Sequence, residues 1–275
     1  MNKLNSLSLF VGTSECNAKC SHCAGLPLRK YSPQNDGIIN EELISKTIKD
    51  CYDKGARYLS ISSSGEPTLS PFSVTKTLRI LYNYKNEGIN FSPINLYSNG
   101  IRIGEDKKFC NTYLPLWKNL GLTTLYITIH DIDEKKNAKI YGIETYPKLI
   151  DIISRIHENE LLIRANLVLS KKTIHTSEEF IQTVNYLNTV GVNSISAWPI
   201  RDKNDKLDLK ESPLEEELNK IDAWLTNTKD TINHITNAKQ YNVKLLRENS
   251  KIAYTSGQKL TLFPDGTLSN TWCNR

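Results

Sequence analysis

Residues 6–23 read SLSLFVGTSECNAKCSHC: a strand, Ser6–Val11, runs directly into a loop that carries Cys16, Cys20 and Cys23. The same order, strand then helix, repeats downstream. Glu41–Asp53 places Leu43, Ile44, Thr47 and Ile48 at helical spacing and stops at Gly55. Ala56–Ser62 is then a strand, Ser73–Asn86 a helix ended by Gly88, and Ile94–Tyr97 a strand ended by Ser98-Asn99-Gly100. Asp106–Leu120 (helix), Thr123–Ile129 (strand), Pro147–Asn159 (helix), Leu161–Leu169 (strand), Ser177–Thr189 (helix) and Asn193–Trp198 (strand) continue the series. Successive β-then-α units predict a parallel sheet with right-handed crossovers. Six strands are fewer than a closed barrel needs. The expected fold is therefore α/β, a parallel sheet, curled or open, over residues 1–202. Function in such a sheet belongs at the C-terminal ends of the strands.

The remainder, residues 203–275, differs in character. Leu214–Asn227 is helical, Asn242–Leu246 strand-like, and Lys259–Trp272 contains the hairpin signal Pro264-Asp265-Gly266. It reads as a short C-terminal α+β extension that packs on the sheet and caps the barrel mouth.

With 39% hydrophobic and 24% charged residues, disorder, collagen and coiled coil are excluded. No apolar run approaches the roughly 20 residues of a membrane span. The first residues lack the basic-then-apolar pattern of a signal peptide, so a cytoplasmic protein with no membrane partner is expected. The 35 basic and 30 acidic side chains are interleaved, and nothing in their pattern argues for nucleic acid.

Three thiols within one loop point to metal before disulfide. Soft thiolates suit an iron–sulfur cluster or zinc. Three of them wrap three corners of a cubane and leave one iron open, whereas structural zinc wants four protein ligands. His22 as a fourth ligand would be cramped beside Cys23. Cys51 and Cys110 fall inside separate helices and read as small buried hydrophobes, and Cys273 stands alone.

The spacing Cys16-x3-Cys20-x-His22-Cys23 resembles the signature of the radical S-adenosylmethionine (radical SAM) superfamily, with His22 where an aromatic residue is usual. The resemblance covers roughly residues 6–201 and implies that the sheet is a partial (β/α)6 TIM-like barrel. It implies one site-differentiated [4Fe–4S] cluster on Cys16, Cys20 and Cys23, with S-adenosylmethionine on the open iron. It also implies an electron donor such as flavodoxin or ferredoxin. Ser64-Gly65-Glu66-Pro67 is similar to the family's GGEP motif, which implies that Gly65 and Glu66 meet the cofactor's amino group. A plain strand-to-helix turn is the bland alternative. Ser98, in an Asn-Gly turn, stands where the family keeps a hydroxyl near the cofactor, and Thr128 stands at a second such position.

Further candidates lie on the later strands. His130 shares the inward parity of Tyr126 and Thr128 and faces ribose or substrate, unless it is structural. Arg164 and Asn166 share one face of a buried strand and need partners. The resemblance gives them the cofactor's carboxylate and ribose; an ion pair of Arg164 with Glu66 or Asp131 is the alternative. Trp198 or Ile200 would pack on adenine, or else in the core. His130, Arg201 and the segment Phe263–Trp272 are the expected lining of a substrate pocket, with His130 and Arg201 the catalytic candidates.

The expected function is radical chemistry on an unreactive C–H bond of a peptide, protein or small metabolite. The alternatives are an activator of a glycyl-radical enzyme, and a non-catalytic zinc or iron–sulfur protein.

Overall fold

The computed structural model describes residues 4–23, 25–202, 207–235, 242–245 and 258–270. Its strands are β1 Leu4–Phe10, β2 Tyr58–Ser62, β3 Ile94–Ser98, β4 Thr124–Ile129, β5 Leu162–Leu169, β6 Ser194–Pro199, β7 Asn242–Leu245, β8 Gln258–Leu262 and β9 Leu268–Ser269. Its helices are α1 Glu41–Asp53, α2 Pro71–Asn86, α3 Ile101–Glu105, α4 Lys107–Asn119, α5 Glu134–Tyr141, α6 Leu149–His157, α7 Ser177–Thr189 and α8 Glu215–Ile235. The six expected βα units are present. Two elements escape the periodicity: α3, a single turn, and α5, whose exposed face carries Lys135, Lys136 and Lys139.

Among the described residues the sheet has nine strands in the order β7-β6-β5-β4-β3-β2-β1-β8-β9, and only β9 is antiparallel. Residues 203–275 thus lengthen the sheet at both ends: β7 pairs with β6, and β8 lies along β1. The Pro264-Asp265-Gly266 turn does join a hairpin, β8 to β9, and Phe263 N–H donates to Thr267 O at 2.9 Å. Leu246, Trp272 and Cys273 lie outside the described residues.

The strands alternate strictly, and this sorts the chain into two interiors. Leu7, Leu9, Leu59, Ile61, Leu96, Leu125, Ile127, Ile163, Ala165, Leu167, Ile195 and Ala197 are buried on the helix side. They join Ile48, Val74, Leu78, Leu114, Trp117, Ile152 and Phe180 of the surrounding helices in one core. The opposite faces are polar. Ser8 and Ser60 share a hydrogen bond of 2.6 Å, and Tyr97, Tyr126, Arg164 and Ser194 stand in register across β3 to β6.

The sheet curls around this polar face. Four strands lie between β5 and β8. In a flat sheet those two would stand about 24 Å apart. Yet the Lys259 ammonium on β8 is pushed down to about 8 by burial, with the Arg164 guanidinium on β5 adding like-charge repulsion. That coupling fits a sheet that curls around an open-sided lumen.

The segment after the cysteine loop is stitched to α2 by a carboxylate distant in sequence. Ser70, at the N-terminus of α2, provides no side-chain cap. Asp36 does so instead, accepting from Phe72 N–H and Ser73 N–H, both at 3.0 Å, and from Gly37 N–H at 2.7 Å. A cap of this kind is worth about 1–2 kcal/mol. Asp36→Ala should lower the unfolding free energy by that amount in urea titration, and Asp36→Asn by less.

Candidate functional site

The loop after β1 places Cys16, Cys20 and Cys23 half-buried at the C-terminal end of the sheet, all with free thiols. Burial raises the Cys20 thiol to about 12, with Cys23 and Cys16 adding to the effect, and burial likewise raises Cys16. Part of that rise is mutual: each of these thiols disfavours a charge on its neighbours. No three His, Cys, Asp or Glu side chains among the described residues are placed to hold a single metal ion. A four-iron cluster takes one thiolate at each of three separate corners and needs no such common point. The donor set, three soft sulfurs on one short loop, fits that group.

Close backbone packing fixes the loop. A Cβ on Gly65 would lie 2.0 Å from Glu15 O, so no larger residue fits there. Glu66 N–H then donates to Glu15 O at 2.8 Å. Gly65 is accordingly a close-approach position against the cysteine loop. Ser64, where glycine is usual, is accommodated: it is buried and its hydroxyl bonds that of Ser32.

Glu66 and Ser98 are brought together. Glu66 Oε1 accepts from Thr68 N–H (3.0 Å), Thr68 Oγ1 (2.8 Å) and Ser98 Oγ (2.8 Å), while Oε2 accepts from Asn99 N–H (2.8 Å). Burial pushes this carboxyl up, and those four bonds pull it back. Glu66 therefore knots the β2 and β3 loops. The alternative ion pair does not form: Asp131 pairs with Lys136 at 3.0 Å, and Arg164 lies over the Tyr126 ring at 4.6 Å.

The facing wall holds Thr128, Arg164, Asn166 and Trp198. Thr128 and Asn166 are in register across β4 and β5, Asn166 and Ser196 across β5 and β6. Trp198 is half-buried and registers with Val168. Arg164 Nε, both amide atoms of Asn166 and Ser196 Oγ are buried without any hydrogen-bond partner. Such atoms each cost about 1–3 kcal/mol while unpaired. This wall therefore holds a cluster of hydrogen-bonding atoms that no protein group satisfies.

His130 ends β4 and is almost wholly buried. Its ring meets those of His22 (5.0 Å) and Tyr141 (4.9 Å) edge-on, and its Nε2 has no partner. His130, His22, Lys172, Ile200, Arg201 and Glu211 help line one cavity of about 380 Å³. The two catalytic candidates thus share a space beside the cysteine loop. Ile200 belongs to that cavity, whereas Trp198 faces the lumen.

Sequence reasoning missed several supports. Asn99 Nδ2 donates to Asn17 Oδ1 at 2.7 Å and lies 4.0 Å from Cys16 Sγ. Tyr146 Oη donates to Asn99 O at 3.0 Å, Tyr141 Oη to Thr128 O at 2.7 Å, and Lys19 N–H to Tyr141 O at 2.7 Å. Asn137, fully buried, accepts from His130 N–H at 3.0 Å. Only the Asn-Gly turn carried a signal for any of these; the α5 contributions had none.

The family model for the radical SAM superfamily matches residues 10–184. The chain belongs to the radical SAM superfamily. It is a radical SAM enzyme, and the family implies S-adenosylmethionine and an iron–sulfur cluster. It is 24% identical over 190 residues to the GTP 3',8-cyclase of Clostridium perfringens, covering 68% of this chain and 54% of that one. It is 24% identical over 220 residues to the probable GTP 3',8-cyclase of Sulfurisphaera tokodaii, covering 76% and 64%. The chain thus spans between half and two thirds of these relatives. The crystal structure of Streptococcus suis SuiB bound to precursor peptide SuiA superposes with a TM-score of 0.68 at 16% identity, over 98% of this chain and 60% of that one. No helix among the described residues is long and apolar enough to cross a membrane.

Burial lowers the His130 imidazole to about 3, with His22 adding to the effect. The unfolded chain then binds more protons below the ordinary histidine value of about 6.5, so acid must destabilise the fold. Between about pH 5.5 and 4 the cluster-free chain should lose about 1.4 kcal/mol per pH unit from this residue, and about half that slope at pH 6.5. His130→Phe should remove that part of the slope in urea titrations repeated across pH.

Proposed function

We propose that this enzyme carries one site-differentiated [4Fe–4S] cluster on Cys16, Cys20 and Cys23, and abstracts hydrogen from an unreactive C–H bond of its substrate. The observation that carries this reading is the position of the thiol trio, at the rim of a polar lumen whose far wall holds unpaired hydrogen-bonding groups. When bound, the cluster would supply the electron that splits S-adenosylmethionine into methionine and a 5'-deoxyadenosyl radical.

The chain's own residues then have separable tasks. Cys16, Cys20 and Cys23 hold the cluster. Gly65 lets the loop after β2 close on the cysteine loop, and Glu66 with Ser98 fixes the rim where the cofactor's amino group is received. Thr128, Arg164 and Asn166 offer a hydroxyl, a cation and an amide to the ribose and carboxylate. Trp198 offers an apolar ring to adenine. His130 and Arg201 face the substrate from the adjoining cavity. The segment 203–275 closes the chamber as a second unit after the barrel of 1–202, keeping water and stray C–H bonds from the radical.

The substrate class is a peptide, protein or small metabolite, and the electron donor is a small carrier such as flavodoxin or ferredoxin. A structural neighbour bound to a precursor peptide supports the first class, and relatives named for a nucleotide cyclisation support the last. Deuterium transfer into 5'-deoxyadenosine from labelled candidates distinguishes them.

Any one of Cys16→Ala, Cys20→Ala and Cys23→Ala should strip most of the iron after anaerobic reconstitution and abolish 5'-deoxyadenosine formation. Cys51→Ala and Cys110→Ala should keep both. Equal iron loss in the second pair would refute the assignment.

A further inference from the structure

Asn99 stands in the turn after β3, and every one of its polar groups is engaged. Its N–H donates to Glu66 Oε2 at 2.8 Å, its carbonyl accepts from Tyr146 Oη at 3.0 Å, and its Oδ1 accepts from Ile101 N–H at 3.0 Å. Only an oxygen can accept that last bond, so the amide has one orientation and Nδ2 faces the other way. There it donates to Asn17 Oδ1 at 2.7 Å and toward Cys16 Sγ at 4.0 Å. The residue is buried, 8% exposed, so water competes little for this donor.

An Asn-Gly turn does not ask for this arrangement. It needs Gly100 for the positive φ of 78°, and the asparagine before it is free to point into solvent. Here the side chain is instead buried against a cysteine 83 residues earlier in the chain. A donor aimed at a thiolate sulfur stabilises it more as negative charge on the sulfur grows. One-electron reduction of an iron–sulfur cluster adds such charge, and hydrogen bonds to the sulfurs are among the factors that set its potential.

We propose that Asn99 is a positioning residue that donates to the Cys16 thiolate and raises the reduction potential of the cluster bound there. The inference rests on the reading above that Cys16, Cys20 and Cys23 hold a [4Fe–4S] cluster. The same residue holds Glu66 through its backbone N–H. The rim assigned to the cofactor's amino group and the first cluster ligand are thereby joined through one residue.

The test uses the anaerobically reconstituted full chain and its Asn99→Ser, Asn99→Asp and Tyr146→Phe variants. Iron content is measured for each, and the potential is read from the EPR signal of the reduced cluster in a redox titration. Serine keeps an acceptor for Ile101 N–H but is too short to reach Cys16. Asn99→Ser should therefore keep its iron and lower the reduced-to-oxidised ratio at a fixed potential about tenfold, about 59 mV for one electron. Asn99→Asp keeps the shape and the bond to Ile101, replaces the donor by an anion, and should lower the potential further. Tyr146→Phe loosens the same turn without touching the donor and should leave the potential unchanged. Where only one Asn99 variant loads iron, its potential decides. The proposal is overturned by an unchanged potential, by an equal shift in Tyr146→Phe, or by loss of iron in both Asn99 variants, which would make Asn99 a support of the loop alone. A wild-type chain that holds no iron would instead bring down the reading of function on which the proposal stands.

Discussion

The structure depends on one constraint: every parallel strand must bury both of its faces, and here the two faces bury different chemistry. One face is leucine, isoleucine and alanine against helices, and burial of about 25 cal/mol per Å2 holds the fold together there. The other face is serine, asparagine, tyrosine, threonine and arginine, which no helix covers. A closed barrel of this family of shapes fills its interior with branched apolar side chains. This sheet stays open and keeps a polar interior, and several of its buried polar atoms are left without partners. In the proposed function, the guest that supplies those hydrogen bonds is the cofactor.

The cysteine loop is positioned from outside by the same economy of polar groups. Glu66 spends both carboxylate oxygens on Thr68, Ser98 and Asn99, and Asn99 in turn reaches Asn17 beside Cys16. The loops after β1, β2 and β3 are thereby one hydrogen-bonded unit. From the other side, Tyr141 and Tyr146 stack at 5.3 Å and bond the ends of β4 and β3. The loop is thus held by backbone contacts and buried hydrogen bonds. His130 sits at the junction of these two supports, where its ring packs against both His22 and Tyr141.

Much of this was legible in the sequence. Six strand–helix units, the loop position of Cys16, Cys20 and Cys23, and the turn at Pro264-Asp265-Gly266 follow from local periodicity and turn chemistry. The shared face of Arg164 and Asn166 followed from strand parity, and Thr128 came from the family resemblance. What stayed hidden is non-local. Helix α5 has few apolar residues, because its packing rests on Ala138 and Tyr141 and on the buried amide of Asn137. The strand β8 is short and lies beside β1, more than two hundred residues earlier, a pairing no local pattern encodes. The double use of Glu66 was likewise invisible, since its partners Ser98 and Asn99 lie on another loop.

The central claim is that the unpaired polar groups of the lumen are the cofactor's own partners. An anaerobic crystal structure of the cluster-loaded chain with S-adenosylmethionine tests it most directly. The account predicts polar atoms of the cofactor within hydrogen-bonding distance of Arg164, Asn166 and Ser196, with its sulfur end toward Cys16, Cys20 and Cys23. A cofactor bound elsewhere, with those three side chains still unpaired or bonded only to water, would contradict it.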